Sequence, residues 1–420
     1  MVPRDRTESV VKQNAPAPMS NSRFDFTSAL MLSDLFPNSL HLALFKAVLS
    51  SDSDFATHWV DWASQLPPAG HVDPVSIEHL PLLRGRLGLV PPGTPGSNML
   101  PQLVQDLYRR TWARNHLIFR SLRASLQTLH DAGVPTLVLK GAALLAMYYK
   151  DMGARTMGDF DVLVPQAHFL TAAHALETSG WTSIFSAKDF DPRFGHALTF
   201  KDGQGNFLDL HVHVLHFTSH EDADELFWAN SVPMSLLGVE TRTLCADDFI
   251  LHLAVHGMRW TPYLPLRWIP DIAHVISNGY SDWNRLLQMA QHLHASLAVT
   301  TVLEYLNENQ LASVPESVLT SLRAIPIDPW EQERFELNAR NLLGSIFSTI
   351  RFHWHVATQR DDAPSLLRRL QLLPAYVGYF TKSVGFNGWL AYLLRGQFLK
   401  KHLLAKLGRY ARPINDPRLR

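Results

Sequence analysis

The stretch from Thr136 to Val164, TLVLKGAALLAMYYKDMGARTMGDFDVLV, limits the possible folds more than any other part of the chain. It opens with Leu137-Val138-Leu139, a short aliphatic run bounded by turn residues, which predicts a buried strand. Lys140-Gly141 ends that run. Gly141 allows a tight turn and leaves backbone N–H groups open to an anion. Ala142 to Tyr149 is built from good helix formers, and a helix N-terminus behind a glycine turn is a ready phosphate site. After a polar, turn-rich segment comes Asp159-Phe160-Asp161-Val162-Leu163-Val164. On a strand, residues two apart face the same way. Asp159 and Asp161 are therefore expected to converge while Phe160 enters a core. Two adjacent carboxylates repel unless a cation lies between them. A hard, oxygen-seeking ion such as Mg²⁺, which brings substrate phosphates with it, answers that pattern.

A second strand is legible further on. Phe207-Leu208-Asp209-Leu210-His211-Val212-His213-Val214 alternates cleanly, with Phe207, Asp209, His211 and His213 on one face and an apolar row on the other. Before it, Gln166 to Gly180 predicts a helix, Trp181 to Phe185 and His196 to Phe200 predict strands, and Gly203-Gln204-Gly205-Asn206 predicts a hairpin turn.

Together these elements resemble the nucleotidyltransferase superfamily with a DNA polymerase β-like core. They are closer still to an uncharacterised bacterial nucleotidyltransferase family whose signature is Lys-Gly, a short helix, an Arg, then Asp-x-Asp followed by Leu-Val. Lys140, Gly141, Arg155, Asp159, Asp161, Leu163 and Val164 carry that signature here. The stretch is also similar to AbiEii-type toxin transferases, whose turn reads Lys-Gly-Gly where Ala142 stands in this chain. The resemblance implies an α+β fold, a small mixed sheet with helices. It also implies a third acid on a neighbouring strand, and Asp209 with His211 matches the family's acid-x-His pattern. Three carboxylates placed together can hold two divalent ions and activate an acceptor oxygen. The resemblance covers roughly residues 100–310.

The rest of the chain predicts mostly helix. Residues 1–23 are polar with scattered Pro and Ser and are expected to be disordered. Residues 24–134 form an N-terminal helical region, with apolar stripes at Leu42, Phe45, Val48 and Leu49 and at Phe55, Trp59 and Trp62. It ends in a long helix over Gln102–Ala132. Residues 135–245 are the core, 246–345 a C-terminal helical domain, and 346–420 a basic helical tail. Asp247-Asp248 suit a helix N-terminus. His252 and His256 follow at i, i+4, but Leu253 stands where a zinc-protease helix needs glutamate, which argues against zinc. Arg259 and Arg267 are candidates for a triphosphate, since Arg makes forked contacts to phosphate oxygens. Either could instead pair with Asp271.

Formal net charge is zero, so no global field advertises a nucleic-acid partner. The single cysteine, Cys245, excludes an internal disulfide and a cysteine zinc cluster, and fits a reducing cytoplasm. The first residues lack the apolar core of a secretory signal, and no apolar run is long enough to predict a spanning helix. The tail is the uneven part. Between Asp362 and Asp416 nine Lys or Arg and no acid are interleaved with aromatics. That suits an anionic membrane surface, an RNA, or a packed helix with a solvated basic face.

The sequence thus predicts a cytoplasmic Mg²⁺-dependent nucleotidyltransferase, with Mn²⁺ as the alternative ion. It would transfer an NMP from an NTP to a hydroxyl or phosphate acceptor and release pyrophosphate. Asp159, Asp161 and Asp209 are the expected metal-binding and catalytic residues. Lys140, Gly141, Arg155, Arg259 and His211 are the expected nucleotide-binding residues. A small-molecule, peptide or protein acceptor is favoured over tRNA, because the flanking helices carry tryptophans rather than a dense basic stripe. The rival readings are a tRNA-modifying transferase of toxin type and a binding protein that keeps the fold without catalysis.

Overall fold

Leu137–Leu139 forms β1, buried along its whole length, as its unbroken aliphatic sequence requires. The computed structural model describes residues 35–67, 72–218, 224–259, 266–278, 282–327, 329–339, 354 and 371–379. The segment 1–23 and the nine basic residues of the tail lie outside the described residues.

Among the described residues three helices come first, α1 (Ser39–Leu49), α2 (Asp52–Ser64) and α3 (Pro74–His79), followed by a 3₁₀ stretch over Leu80–Leu89 and the long α4 (Leu100–Asp131). Asn38 caps α1, its side chain accepting from the His41 backbone N–H at 2.9 Å. Phe55, Trp59 and Trp62 of α2 are fully buried in a cluster of their own with Leu44, Leu83 and Val104. The 32 residues of α4 reach about 48 Å at 1.5 Å per residue. Its first turns therefore pack into this cluster, while Ile118, Leu122, Leu126 and Leu129 pack into the core beneath the sheet.

After β1 the chain forms α5 (Lys140–Leu144), one π turn over Leu145–Tyr149, and β2 (Phe160–Leu163). Then come α6 (Phe169–Thr178), β3 (Thr182–Ser183), β4 (Ala197–Lys201), β5 (Phe207–His211), α7 (Glu225–Asn230), β6 (Val232–Leu236) and β7 (Val239–Thr243). One seven-stranded mixed sheet results, in the order β3-β4-β5-β2-β1-β7-β6. Strand β2 is antiparallel to β1 and parallel to β5, and β1 is parallel to β7. The helices α8 (Ala246–Gly257), α9 (Trp268–Ser277), α10 (Trp283–His292), α11 (Ser296–Glu308), α12 (Glu316–Ala324) and α13 (Pro329–Ala339) complete the α+β architecture.

Two local expectations are corrected by the structure, and one element is added to them. The strand expected over Phe207–Val214 stops at His211, because the N–H groups of Val212 and His213 both donate to the His196 carbonyl. His213 consequently leaves the Asp209 face and is buried against Asp224, with Nδ1 2.7 Å from its carboxylate. The helix expected from Ala142 begins instead at Lys140, with Gly141 inside it. The β6–β7 hairpin was not anticipated. Its turn, Leu237-Gly238, takes positive φ at both positions, the geometry usually signalled by Asn-Gly.

Residues 371–379 are helical, and Tyr376 is buried against Phe194 with ring centroids 5.6 Å apart. This described part of the tail is packed on the core. Among the described residues no helix is long and apolar enough to cross a membrane.

Candidate active site

The register of the sheet brings the acids together. Asp161 of β2 stands directly opposite Asp209 of β5 in a parallel pairing, so one strand spacing of about 4.8 Å separates their backbones. Phe160 points the other way, fully buried and edge-on to Trp181. Asp159 immediately precedes β2 and lines the same cavity as Asp161 and Asp209, a space of about 270 Å³. Thr199, opposite Asp209 on β4, donates its hydroxyl to Asp209 Oδ1 at 2.5 Å and fixes that carboxylate's rotamer.

Lys140 is the cation among the acids. Its Nζ donates to Asp161 Oδ1 at 2.8 Å. The same oxygen lies 3.0 Å from His211 Nε2. Burial would raise the Asp161 pKa, but Lys140 and then His211 outweigh it and hold the carboxyl well below the usual range. Burial would lower the Lys140 pKa, and Asp161, Asp209 and Asp159 together raise it. Lys140 itself has φ +46°, a left-handed backbone that costs a side-chain-bearing residue roughly 1–2 kcal/mol. Such strain is typical of positions whose side chain must be aimed.

Arg155 is held differently. It is 9 % exposed, and its Nε and Nη2 donate to the two oxygens of Asp271 at 2.7 and 2.8 Å. Tyr149, at the end of the π turn, donates its hydroxyl to Asp271 Oδ1 at 2.7 Å. Asn115, a buried amide on the apolar face of α4, donates to the carbonyls of Met152 and Arg155, both at 2.7 Å. The loop before β2 is thus tied to α4 from below and to α9 through Arg155. A Cβ at Gly141 would meet Arg155 Nη1 at 2.6 Å, so the glycine also makes room for this brace. Arg267 pairs with Glu78 at 3.1 Å and Asp271 is held by Arg155, so Arg267 is not its partner.

A histidine wall completes the cavity: His196, His211, His216, His252 and His256 all line it, with Trp268 and Arg259. The i, i+4 pair on α8 therefore lines the cavity with both members. Burial, reinforced by Lys140 and His211, lowers the His252 pKa to about 3. Burial, reinforced by nearby cationic groups, also pushes His196 and His256 well below their ordinary value. Among the described residues, neither buried ring nitrogen of His252 has a hydrogen-bond partner.

The donor set fits a divalent cation. Asp161, Asp209 and His211 each offer a ligand atom, and these atoms lie within 4.8 Å of one another. The Lys140 ammonium on Asp161 shows that the pocket is built to hold positive charge. Of the sequence-predicted residues, Lys140, Gly141, Arg155, Asp159, Asp161, Asp209, His211 and Arg259 all line this one cavity. Sequence reasoning did not find Thr199, His196, His216, Asn115 or Tyr149. Asn115 was the findable one, as an amide in the apolar stripe that runs through Thr111, Ile118 and Leu122.

A family model described as uncharacterised nucleotidyltransferase matches residues 80–309, more than half of the chain. A crystal structure of an antigenic nucleotidyltransferase-like protein from Paracoccidioides brasiliensis is similar at 16 % identity and a TM-score of 0.32, covering 51 % of this chain and 93 % of that one. No curated protein matches the chain.

Proposed function

The chain belongs to this family of uncharacterised nucleotidyltransferases, and from that premise we propose that it transfers an NMP from an NTP to an acceptor hydroxyl or phosphate, releasing pyrophosphate, with a divalent ion such as Mg²⁺ bound at Asp159, Asp161 and Asp209. The observation that carries the reading is the in-register opposition of Asp161 and Asp209 with a lysine ammonium on the former. A divalent ion bound there supplies charge neutralisation for the phosphates and the pentavalent transition state.

The chain's own residues do the rest. Lys140 is bonded to Asp161 through one oxygen, and an arriving triphosphate offers its ammonium an exchange partner of the same sign. Arg259 lines the same cavity and adds a second cation for the phosphate chain. Asp209, oriented by Thr199, is the base that takes the proton from the acceptor oxygen as that oxygen attacks the α-phosphorus. Arg155 holds the loop before β2 in place, its fork committed to Asp271. Trp268 and the rings of His196, His252 and His256, all held below the ordinary histidine range, line a weakly charged wall, which suits a small molecule, a peptide or a protein segment better than a phosphate backbone.

The deciding experiment incubates the purified full-length chain with NTPs labelled at the α- or the γ-phosphate, a divalent ion and cell extract. Label from the α position should appear in an acceptor, and label from the γ position only in pyrophosphate. Transfer of the γ label would instead make the protein a kinase.

A further inference from the structure

His211 is held as metal-ligating histidines are held. Its Nδ1 lies 3.2 Å from the carbonyl oxygen of His213, an atom that can only accept, so Nδ1 carries a proton and donates there. Nε2 faces the acids 3.0 Å from Asp161 Oδ1, which likewise can only accept, so Nε2 donates there and an ion bound by His211 would take the place of that proton. One imidazole nitrogen fixed by a backbone carbonyl, with the other aimed at a binding site, is the usual outer-sphere arrangement of a ligand histidine. The ring is 2 % exposed and cannot swing out to solvent. It shares the Asp209 face of β5, two residues on, and Asp209 stands opposite Asp161. The two acids and the imidazole therefore converge from two adjacent strands, with all three donor atoms inside one 4.8 Å cluster.

Resting on the metal-dependent reading above, we propose that His211 is itself a ligand of the ion, and that the centre selects a first-row transition ion of the Mn²⁺ kind over Mg²⁺. Mg²⁺ is a hard ion that sheds water reluctantly and takes oxygen donors in near-ideal octahedral geometry. Imidazole nitrogen is a softer donor, and its affinity rises along the first-row series that begins at Mn²⁺. Mn²⁺ accepts carboxylate and imidazole together. An imidazole added to the carboxylates therefore discriminates between ions that carboxylates alone would bind more evenly. The bond between Lys140 and Asp161 fits the same logic, since one ammonium can be displaced from one carboxylate oxygen without disturbing the ring.

The test uses the full-length chain and Mn²⁺ alone. Binding is followed by loss of the free-ion electron paramagnetic resonance signal, with Mg²⁺ as competitor. The bound ion is then examined by electron spin echo modulation for directly coupled nitrogen. The wild type should bind Mn²⁺ at least tenfold more tightly than Mg²⁺ and show ¹⁴N coupling. The substitution His211→Asn should remove the coupling and reduce the Mn²⁺/Mg²⁺ ratio about tenfold, while His252→Leu should leave both in place. If His211→Asn does not fold, wild-type protein carrying ¹⁵N-histidine must show the coupling change isotope, and His252→Leu must still show it. Bound Mn²⁺ without nitrogen coupling, or coupling and ratio unchanged in His211→Asn, overturns the assignment of His211 and leaves the metal-dependent reading standing. Failure of the wild type to bind either ion at millimolar concentration overturns both.

Discussion

Two cation–carboxylate pairs line the same cavity and differ in how they are closed. Arg155 and Asp271 meet through two guanidinium nitrogens and both oxygens, with Tyr149 also donating to Oδ1 and almost no solvent contact. Lys140 and Asp161 share a single contact, and Asp161 Oδ1 is also approached by His211. The first pair is closed by three short hydrogen bonds. The second is held by one exchangeable bond and lies among further acids that raise the pKa of Lys140. A site has to be rigid around its edge and exchangeable at its centre, and these two pairs divide that work.

The comparison breaks most visibly at its centre. Asp161→Asn should lower nucleotide transfer by about 10³-fold, since it removes a charge from the group that holds the ion in the transition state. It should also lower stability by about 2 kcal/mol, the usual worth of hydrogen bonds to a charged partner. Repulsion between bare carboxylates would by itself leave stability little changed or even raise it in the variant. The presence of Lys140 on Asp161 reverses that expectation. Thermal unfolding of the variant, beside an α-label transfer assay, checks both halves.

The closed pair should fail in stability rather than in chemistry. Asp271→Ala strands the Arg155 charge at a buried position and should cost about 3–5 kcal/mol in urea unfolding. The double variant Arg155→Met with Asp271→Leu should recover much of that loss, because an apolar pair of similar volume needs no desolvated charge. If Asp271→Ala instead folded at wild-type stability and lost only transfer, the pair would belong to the exchangeable centre.

The smallest effect sharpens the comparison from the third side of the cavity. His252 is buried and meets no geometrically sound hydrogen-bond partner among the described residues, and burial lowers its pKa to about 3 from an ordinary 6.5. As pH falls below 6.5 the unfolded chain takes up a proton that the folded chain refuses until about 3, so stability declines through that window. His252→Leu should raise stability by about 1 kcal/mol at neutral pH by removing unsatisfied polar atoms. The gain should widen between pH 6.5 and 5. Chemical unfolding at those two pH values decides, and a gain independent of pH would show the ring to be paired.

The strand–turn–helix–strand unit was legible because it is local. Leu137–Leu139 has the composition of a buried strand, and Phe160 between two aspartates fixes which face is wet. Asp209 and His211 were legible for the same reason, as alternation within one strand. The partners were not. Nothing in the spacing of Lys140 and Asp161, or of Arg155 and Asp271, says which cation takes which acid, and Arg267 was weighed for the place that Arg155 fills. Thr199 reaches Asp209 only because of the β4–β5 register, and His196 enters the cavity where two backbone N–H groups bond its carbonyl and end β5. Pairing across the sheet is a tertiary fact that one sequence leaves open.

The parallel pairing of β2 with β5 also bears on how the molecule assembles. Asp161 and Asp209 reach each other only after α6, β3 and β4 have been laid down between them. Contacts between distant parts of a chain have to meet the loop-closure entropy before they return any stabilisation, and parallel pairings are slow for that reason. The acid cluster is therefore a product of late folding. A nascent or partly collapsed chain has Lys140 and the Asp-Phe-Asp segment close in sequence but no place for an ion. Ion uptake by a refolding chain would accordingly report the closing of the sheet's centre rather than the formation of its first hairpin.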